Sequence, residues 1–363
     1  MNFKLKILDK YIIKKFIGAY FFIILISICV IIIFDISERL SSFVDNNAPL
    51  KEIVFSYYSN LVPYYMNMLS PLFVFITVIF FTTKLASHSE IIATLAGGIS
   101  FKKLLFPYFL SAAIIAVMSM ALGLYVIPPA NKTRLAFSEQ YIKNKFVNTD
   151  RNIHLQLSPG NYVYMETFNT WNNVASRFTL ETIEGHQVLA RLQARSATWN
   201  ESIGGWTLRD YTERKQENGR EVFSTGRSRD TIINLTVDDL NRRDNAVEAY
   251  NYRDLNELID IQKMRGDKKV IYAQIEKQTR LALPFSAFIL TLIGVSVSSQ
   301  KRRGGGMGLN IAIGLILSFT YILFLRFSQM FVHAGVLPPW IALWMPNVLY
   351  SVIALVLYRM TPK

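Results

Sequence analysis

Apolar and polar positions divide this 363-residue chain into three blocks. Three long apolar runs come first, then the mixed stretch 131–280, then three more apolar runs. The runs 16–34, 61–83, 104–129, 281–300, 307–325 and 338–358 contain no Asp, Glu, Lys, Arg or His. A bilayer core about 30 Å thick is crossed by roughly 20 apolar helical residues. One charge at its centre costs about 2.5–3.5 kcal/mol on insertion scales. Six charge-free runs of that length predict six transmembrane helices in a 3+3 layout. The first run is long for a signal-peptide core, and Asp35, Glu38 and Arg39 follow it in place of a small-residue cleavage site. It therefore reads as a retained helix.

The middle stretch has a different period. Residues 190–197 alternate small or apolar with polar side chains, as do Ile153, Leu155 and Leu157, then Phe178 and Leu180, then Trp206 and Leu208. That is the period of half-buried strands. Pro159 with Gly160, Gly185, Gly204 with Gly205, Gly219 and Gly226 punctuate them. The expected fold is an all-β sandwich, jelly roll or partly open barrel, with a groove lined by Leu155, Leu180, Leu192 and Leu208. Asn251 can cap a helix carrying Leu255, Leu258, Ile261 and Met264, which Gly266 stops. A second helical stretch from Asp267 is expected to run into the fourth span.

Two local features modify the spans. Pro71, near the middle of the second, removes a backbone hydrogen bond and predicts a kink. Gly308 with Ala312 and Gly314 with Ser318 set small residues four apart in the fifth. This permits close helix contact, within the chain or between subunits.

Composition adds an orientation. The chain is 51% hydrophobic, with mean hydropathy +0.25 and net charge +13. Segment 131–280 holds 23 basic and 20 acidic residues, so most of the excess lies elsewhere. It sits in alternate loops: Lys4, Lys6, Lys10, Lys14 and Lys15; Lys84, Lys102 and Lys103; Lys301, Arg302 and Arg303; Arg359 and Lys363. The positive-inside rule then places both termini in the cytoplasm and 131–280 outside, in a periplasm where there is one. The basic excess reads as a topology signal, with no nucleic acid implied.

Several chemistries lack their residues. The single cysteine, Cys29, lies inside the first span, which excludes a disulfide scaffold. No G-x-x-x-x-G-K-[ST] loop, H-E-x-x-H or G-x-S-x-G occurs. The glycine-rich run 304–308 lacks the lysine of a phosphate loop and reads as a turn. No metal, cofactor or catalytic residue is expected. The spans carry no internal carboxylate or histidine to relay protons, so energy for any transport must come from a partner.

Segment 84–103 is where such a partner could act. It is too polar to span and is helix-compatible from about 84 to 97, with Gly97 and Gly98 as the stop. Leu85, Ile91, Ile92 and Leu95 can share a face. Glu90 is the one acid, Asp9 apart, in the segments expected to face the cytoplasm. Spacing alone allows either a docking helix whose charge fixes register or a solvated interfacial helix.

In order, several motifs resemble the lipopolysaccharide-export permeases of Gram-negative bacteria, the LptF/LptG (YjgP/YjgQ) family. Leu8, Asp9, Lys10, Tyr11 and Ile12 look like its start. Ser89, Glu90 and Ile91, with Gly98 eight residues past Glu90, look like its cytoplasmic coupling segment. Arg280 to Phe285 resembles the entry to span four, and Gly335 to Pro339 the approach to span six, with a lean towards the G-type paralogue. The resemblance implies a non-enzymatic permease subunit paired with a second paralogue. A cytosolic P-loop ATPase dimer sits below. The inserted domain is a periplasmic β-jellyroll that hands lipopolysaccharide to a jellyroll bridge protein. It assigns ATPase coupling to Glu90, with Ser89, Ile91 and Gly98 as its frame. Where family members often carry lysines beyond span one, this chain has Asp35 and Glu38. Arg39 and Lys51 are the nearest cations for lipid phosphates. A permease for another amphiphile and a non-transporting periplasmic adaptor are the competing readings.

Overall fold

A computed structural model of the protein describes residues 6–142, 147–217, 220–241, 243–299 and 306–361. The basic cluster at 301–303, Lys4, Lys363 and the start of the glycine run lie outside them. The chain forms two compact units. The first comprises Met1–Ile142, Glu248–Tyr252 and Gln274–Lys363, and the second Lys143–Val247 and Arg253–Ala273.

Among the described residues, six helices are long and apolar enough to cross a membrane. Span one is Ile7–Asp45; at 1.5 Å per residue it outruns the bilayer core. Span two is two helices, Ser59–Met68 and Ser70–Ser87. The bend falls at Leu69, and Pro71 stands in the first turn of the new helix, where its missing N–H has no partner to lose. Span three runs Phe101–Tyr141, with a π-turn at Leu122–Val126 just before Pro128 and Pro129. Span four is Val270–Ser298, interrupted by a 3-10 turn at Leu283–Phe285, so the helix after Asp267 does run into it. Spans five and six are Gly306–His333 and Pro339–Met360.

Span two is the centre of the bundle. Phe73, Val74 and Val78 face a cluster shared with spans one, three and four, while Phe75 and Ile79 face spans four, five and six. A helix apolar all round belongs inside, and 72% of its apolar window is buried against 22% for each of spans one and five. Gly314 makes the contact with span five possible, since a Cβ there would overlap Ile79. Its pair with Ser318 is therefore intramolecular packing, whereas Gly308 meets open space.

The second unit is one antiparallel sheet: β1 (Arg151–Ser158), β2 (Asn161–Asn169), β3 (Val174–Glu184), β4 (Gln187–Asn200), β5 (Gly205–Glu217) and β6 (Arg220–Thr231). The described strands follow sequence order, a meander without the crossovers of a jelly roll. Gly160 closes the first hairpin at φ +81°, and a Cβ there would strike the Ile183 carbonyl.

The sheet has a transverse crease. Asn152, Arg177 and Asp210, one in each odd strand, take positive φ (54°, 48° and 50°). The flanking pairs put them level with Glu166 and Arg195 of the even strands. Arg177 pairs with Glu166 at 3.1 Å and Arg195 with Asp210 at 3.7 Å along that line. A left-handed residue reverses the alternation of faces. The buried positions are accordingly Ala175 then Phe178, and Ala197 then Ala194, three residues apart. The strict alternation expected over 190–197 breaks at Arg195, level with Arg177 and Asp210 of the neighbouring strands, although Arg195 itself does not take positive φ. Trp206, fully buried, stacks on Phe178 and meets Phe168 edge-on.

The helix Tyr252–Arg265 buries Leu255, Leu258, Ile259 and Gln262. Ile261 and Met264 are exposed, against expectation. A three-residue spacing lags about 60° per step behind the 3.6-residue helix, so the expected stripe rotates off the buried face. Gly266 stops this helix at φ +66°.

Candidate functional site

The segment after span two is shorter than its sequence suggests. Residues 84–87 finish span two, and the separate helix is Glu90–Ala96. The division falls at Ser89, whose φ of +62° is left-handed and strained for a serine. Ile91 is 2% exposed and joins a cluster with Leu8, Ile12, Phe16, Leu85 and Phe101. Leu95 packs beside it, but Ile92 turns outward at 46% exposure. Seven helical residues cannot cover a full four-residue stripe. Gly98 ends the helix at φ +81°, its N–H donating to the Leu95 carbonyl at 3.0 Å. This is the left-handed cap that glycine serves.

The structure thus brings Ser89, Glu90 and Ile91 together, with Gly98 at the far end. Glu90 presents its carboxylate outward, its side chain 44% exposed. The Tyr11 hydroxyl donates to Oε2 at 3.4 Å, and His88 Nδ1 lies 3.9 Å from Oε1.

The opposite end of the bundle carries the second group of charges. Asp35 is 7% exposed and accepts from Arg39 Nε at 2.8 Å, the Tyr58 hydroxyl at 3.1 Å and the Tyr57 hydroxyl at 3.3 Å. Phe43, Leu61 and Phe137 close around the two tyrosines. Arg39 is therefore already engaged by a buried carboxylate. Lys51 lies exposed on the short helix Leu50–Glu52.

Three arginines not singled out as ligand contacts stand at the same end. Arg134 bonds Glu248 at 3.1 Å and lies 4.8 Å over the Tyr64 ring. Arg280, 4% exposed, bonds Glu276 at 2.7 Å and the carbonyls of Tyr250 and Glu248 at 2.8 and 3.2 Å. These two hold the Glu248–Tyr252 segment in the membrane unit. Arg326 bonds only the neutral Gln329 (3.2 Å) and Met68 (3.5 Å) among the described residues. The i,i+4 spacing of Glu276 and Arg280 was a readable signal. Arg326 was hidden because span five runs eight residues past Leu325.

In the β unit, Leu155, Val163, Leu180 and Leu192 form one continuous cross-strand row. Leu208 belongs to another row, with Ala197, Ala175 and Phe168, beyond the crease. All lie in or against the sheet's buried core. No group of metal-ligating residues occurs among the described residues.

The family model of the lipopolysaccharide export system permease LptF/LptG matches residues 10–360. The chain belongs to that family. No curated protein gives a significant match. LptF/LptG membership together with six apolar helices makes it a multi-pass inner-membrane permease of the lipopolysaccharide transport system, a transport subunit.

Proposed function

We propose that this chain is one of two paired permeases in an ATP-driven exporter. It draws lipopolysaccharide from the inner membrane, and a cytosolic P-loop ATPase dimer docks on the Glu90–Ala96 helix. The observation that carries this reading is the two-sidedness of that helix. Glu90 is offered to a partner while Ile91 and Leu95 are packed on the starts of spans one and three. A push on Glu90 would pass directly into those spans, because packed interiors transmit displacement. Glu90 carries the charge, Ile91 anchors, and Ser89 and Gly98 fix the two ends.

The free flanks of spans one and five suit the second permease, F-type if this chain is G-type. Lipid phosphates need cations not already matched by carboxylates. Arg326 and Lys51 meet that condition better than Arg39, whose partner is Asp35. The β unit, on the periplasmic side with both termini cytoplasmic, would carry acyl chains along the Leu155, Leu180 and Leu192 row and past Leu208. A jellyroll bridge protein would receive them.

Purification from native membrane in mild detergent tests the assembly. A P-loop ATPase, a second six-span permease and lipopolysaccharide should accompany the chain, and Glu90→Ala should lose the ATPase or uncouple its turnover. Isolation with periplasmic proteins alone, with Glu90→Ala harmless, would favour the adaptor.

A further inference from the structure

The face of the sheet opposite the leucines is also organised. His154, Tyr164, Thr179 and Gln193 are in register across four strands, and so are Gln156, Tyr162, Glu181 and Arg191. Each residue is a sequence neighbour of a member of the Leu155–Val163–Leu180–Leu192 row, so it points the other way. These two polar rows line about half of an open groove of about 890 Å³, walled also by the last turn of the Tyr252–Arg265 helix through Lys263 and Arg265. That volume lies in the range of small-ligand sites, about 300–1,000 Å³.

The lining is cationic, aromatic and amide-rich. Of its cations, Arg191 is paired with Glu181 at 3.0 Å, Arg177 with Glu166 at 3.1 Å and Arg265 with Asp239 at 3.2 Å, which leaves Lys263 as the one not matched by a carboxylate among the described residues. Arg265 is 9% exposed. Its terminal nitrogens hold Asp239 at 3.2 Å and the Asn234 carbonyl at 3.1 Å, while its Nε has no partner. Tyr164 packs on His154 at 4.6 Å and donates to Asn152 at 3.0 Å, and Tyr162 is 39% exposed.

We infer that this groove binds the phosphorylated saccharide of an amphiphile whose acyl chains follow the leucine row on the other face. Lys263 supplies the unmatched positive charge for a phosphate, and guanidinium N–H groups left outside their ion pairs can bond its remaining oxygens. Tyrosine rings offer apolar faces to sugar rings, and Gln156 with Gln193 can bond hydroxyls. Leu155, Val163, Phe178, Ala194 and Met264 also touch the groove, but an acyl chain there would strip water from the polar rows without replacing its hydrogen bonds. One strand pair would thus sort the two halves of an amphiphile, head to the polar rows and tails to the apolar one. The inference rests on the permease reading and adds to it a head-group site.

Leu192 and Gln193, adjacent and on opposite faces, supply the test. A photo-reactive residue is placed at each in the full-length protein, reconstituted with its co-purifying partners and lipopolysaccharide. Fully deacylated, phosphorylated oligosaccharide serves as competitor. Adducts at both positions are expected, with the competitor suppressing only the Gln193 adduct. The dephosphorylated oligosaccharide should need at least tenfold more, and Lys263→Glu should reduce the Gln193 adduct alone. An adduct at Leu192 without one at Gln193 overturns the groove and leaves the permease reading standing. Suppression at Gln193 by inorganic phosphate as effective as by the oligosaccharide overturns the saccharide assignment. Adducts at neither position overturn the groove and the lipid route together.

Discussion

Asp35 and Glu90 are both carboxylates of the membrane unit, at its opposite ends, and their surroundings differ in kind. Asp35 is 7% exposed and accepts from three donors of its own chain within 3.3 Å. Glu90 is 44% exposed at its side chain and has one long hydrogen bond at 3.4 Å. A buried charge with its acceptor sites filled is a structural element, because any new partner would have to displace an existing one. An exposed charge on a helix whose other face is anchored can recruit a partner without disturbing its support. The comparison separates a lock from a contact surface, although the two residues carry the same group.

The largest effect should come from breaking the lock. Asp35→Ala leaves the Arg39 guanidinium without its counter-charge among aromatic rings. Losing one partner of a buried pair costs about 3–5 kcal/mol. Thermal unfolding in detergent should show a clear loss for Asp35→Ala. It should be largely restored in Asp35→Leu combined with Arg39→Leu, which removes both charges. A single variant as stable as the parent would end the description of Asp35 as structural.

Next in size is a change that tests the packing between these ends. Gly314→Leu forces a side chain into Ile79 where spans two and five meet. Overpacking of this kind costs about 1–3 kcal/mol. Gly308→Leu, in open space, should be close to neutral in the same melting experiment. Equal destabilisation by both would mean that the contact is not the cause.

Glu90→Ala should then shift stability by no more than about 0.5 kcal/mol, as surface substitutions do. It should abolish the stimulation of ATP hydrolysis by lipopolysaccharide in the reconstituted exporter. Gly98→Ala keeps the charge but strains a left-handed position. It should act in the same direction, more weakly. A melting loss for Glu90→Ala comparable with that of Asp35→Ala would erase the distinction between the two carboxylates.

The sequence made these regions unequally legible. The spans were readable because length and absence of charge are properties of a run, independent of tertiary contacts. The stop at Gly97 and Gly98 was readable because glycine marks left-handed caps. The start at Ser89 was not, since nothing about serine favours positive φ, and the packing of Ile91 against spans one and three that goes with it is a tertiary contact. The crease was hidden for the same reason: Asn152, Arg177 and Asp210 include no glycine. The alanines at 194 and 197 also look like uninterrupted alternation when read in line. The roles of Arg134 and Arg280 depend on Glu248, which is more than 25 residues distant from either, and no local pattern reports that pairing.

Glu213 of β5 gives a third carboxylate between the two extremes, and the smallest expected effect. Its side chain is 13% exposed, and it takes Arg229 at 2.7 Å and Lys215 at 3.2 Å, both cations partly in solvent. Burial alone would raise its pKa, but hydrogen bonds from Arg229 and Lys215 outweigh burial and hold it below the usual carboxylate range. A group with a lowered folded-state pKa stabilises the fold fully above its unfolded pKa, about 4.3 for Glu. That contribution is lost as pH falls through the lower folded value. Exposed pairs are worth about 0.2–1 kcal/mol, so the loss should be small. Fluorescence of the buried Trp206 during denaturant unfolding of the full chain can follow it. Parent and Glu213→Gln should differ by this amount at pH 7 and converge below pH 4. A difference that persists or grows in acid would show that the glutamine disturbs packing and that the ion pair contributes nothing. Glu213 would then belong with Glu90 as a charge the fold does not require, despite its near-burial.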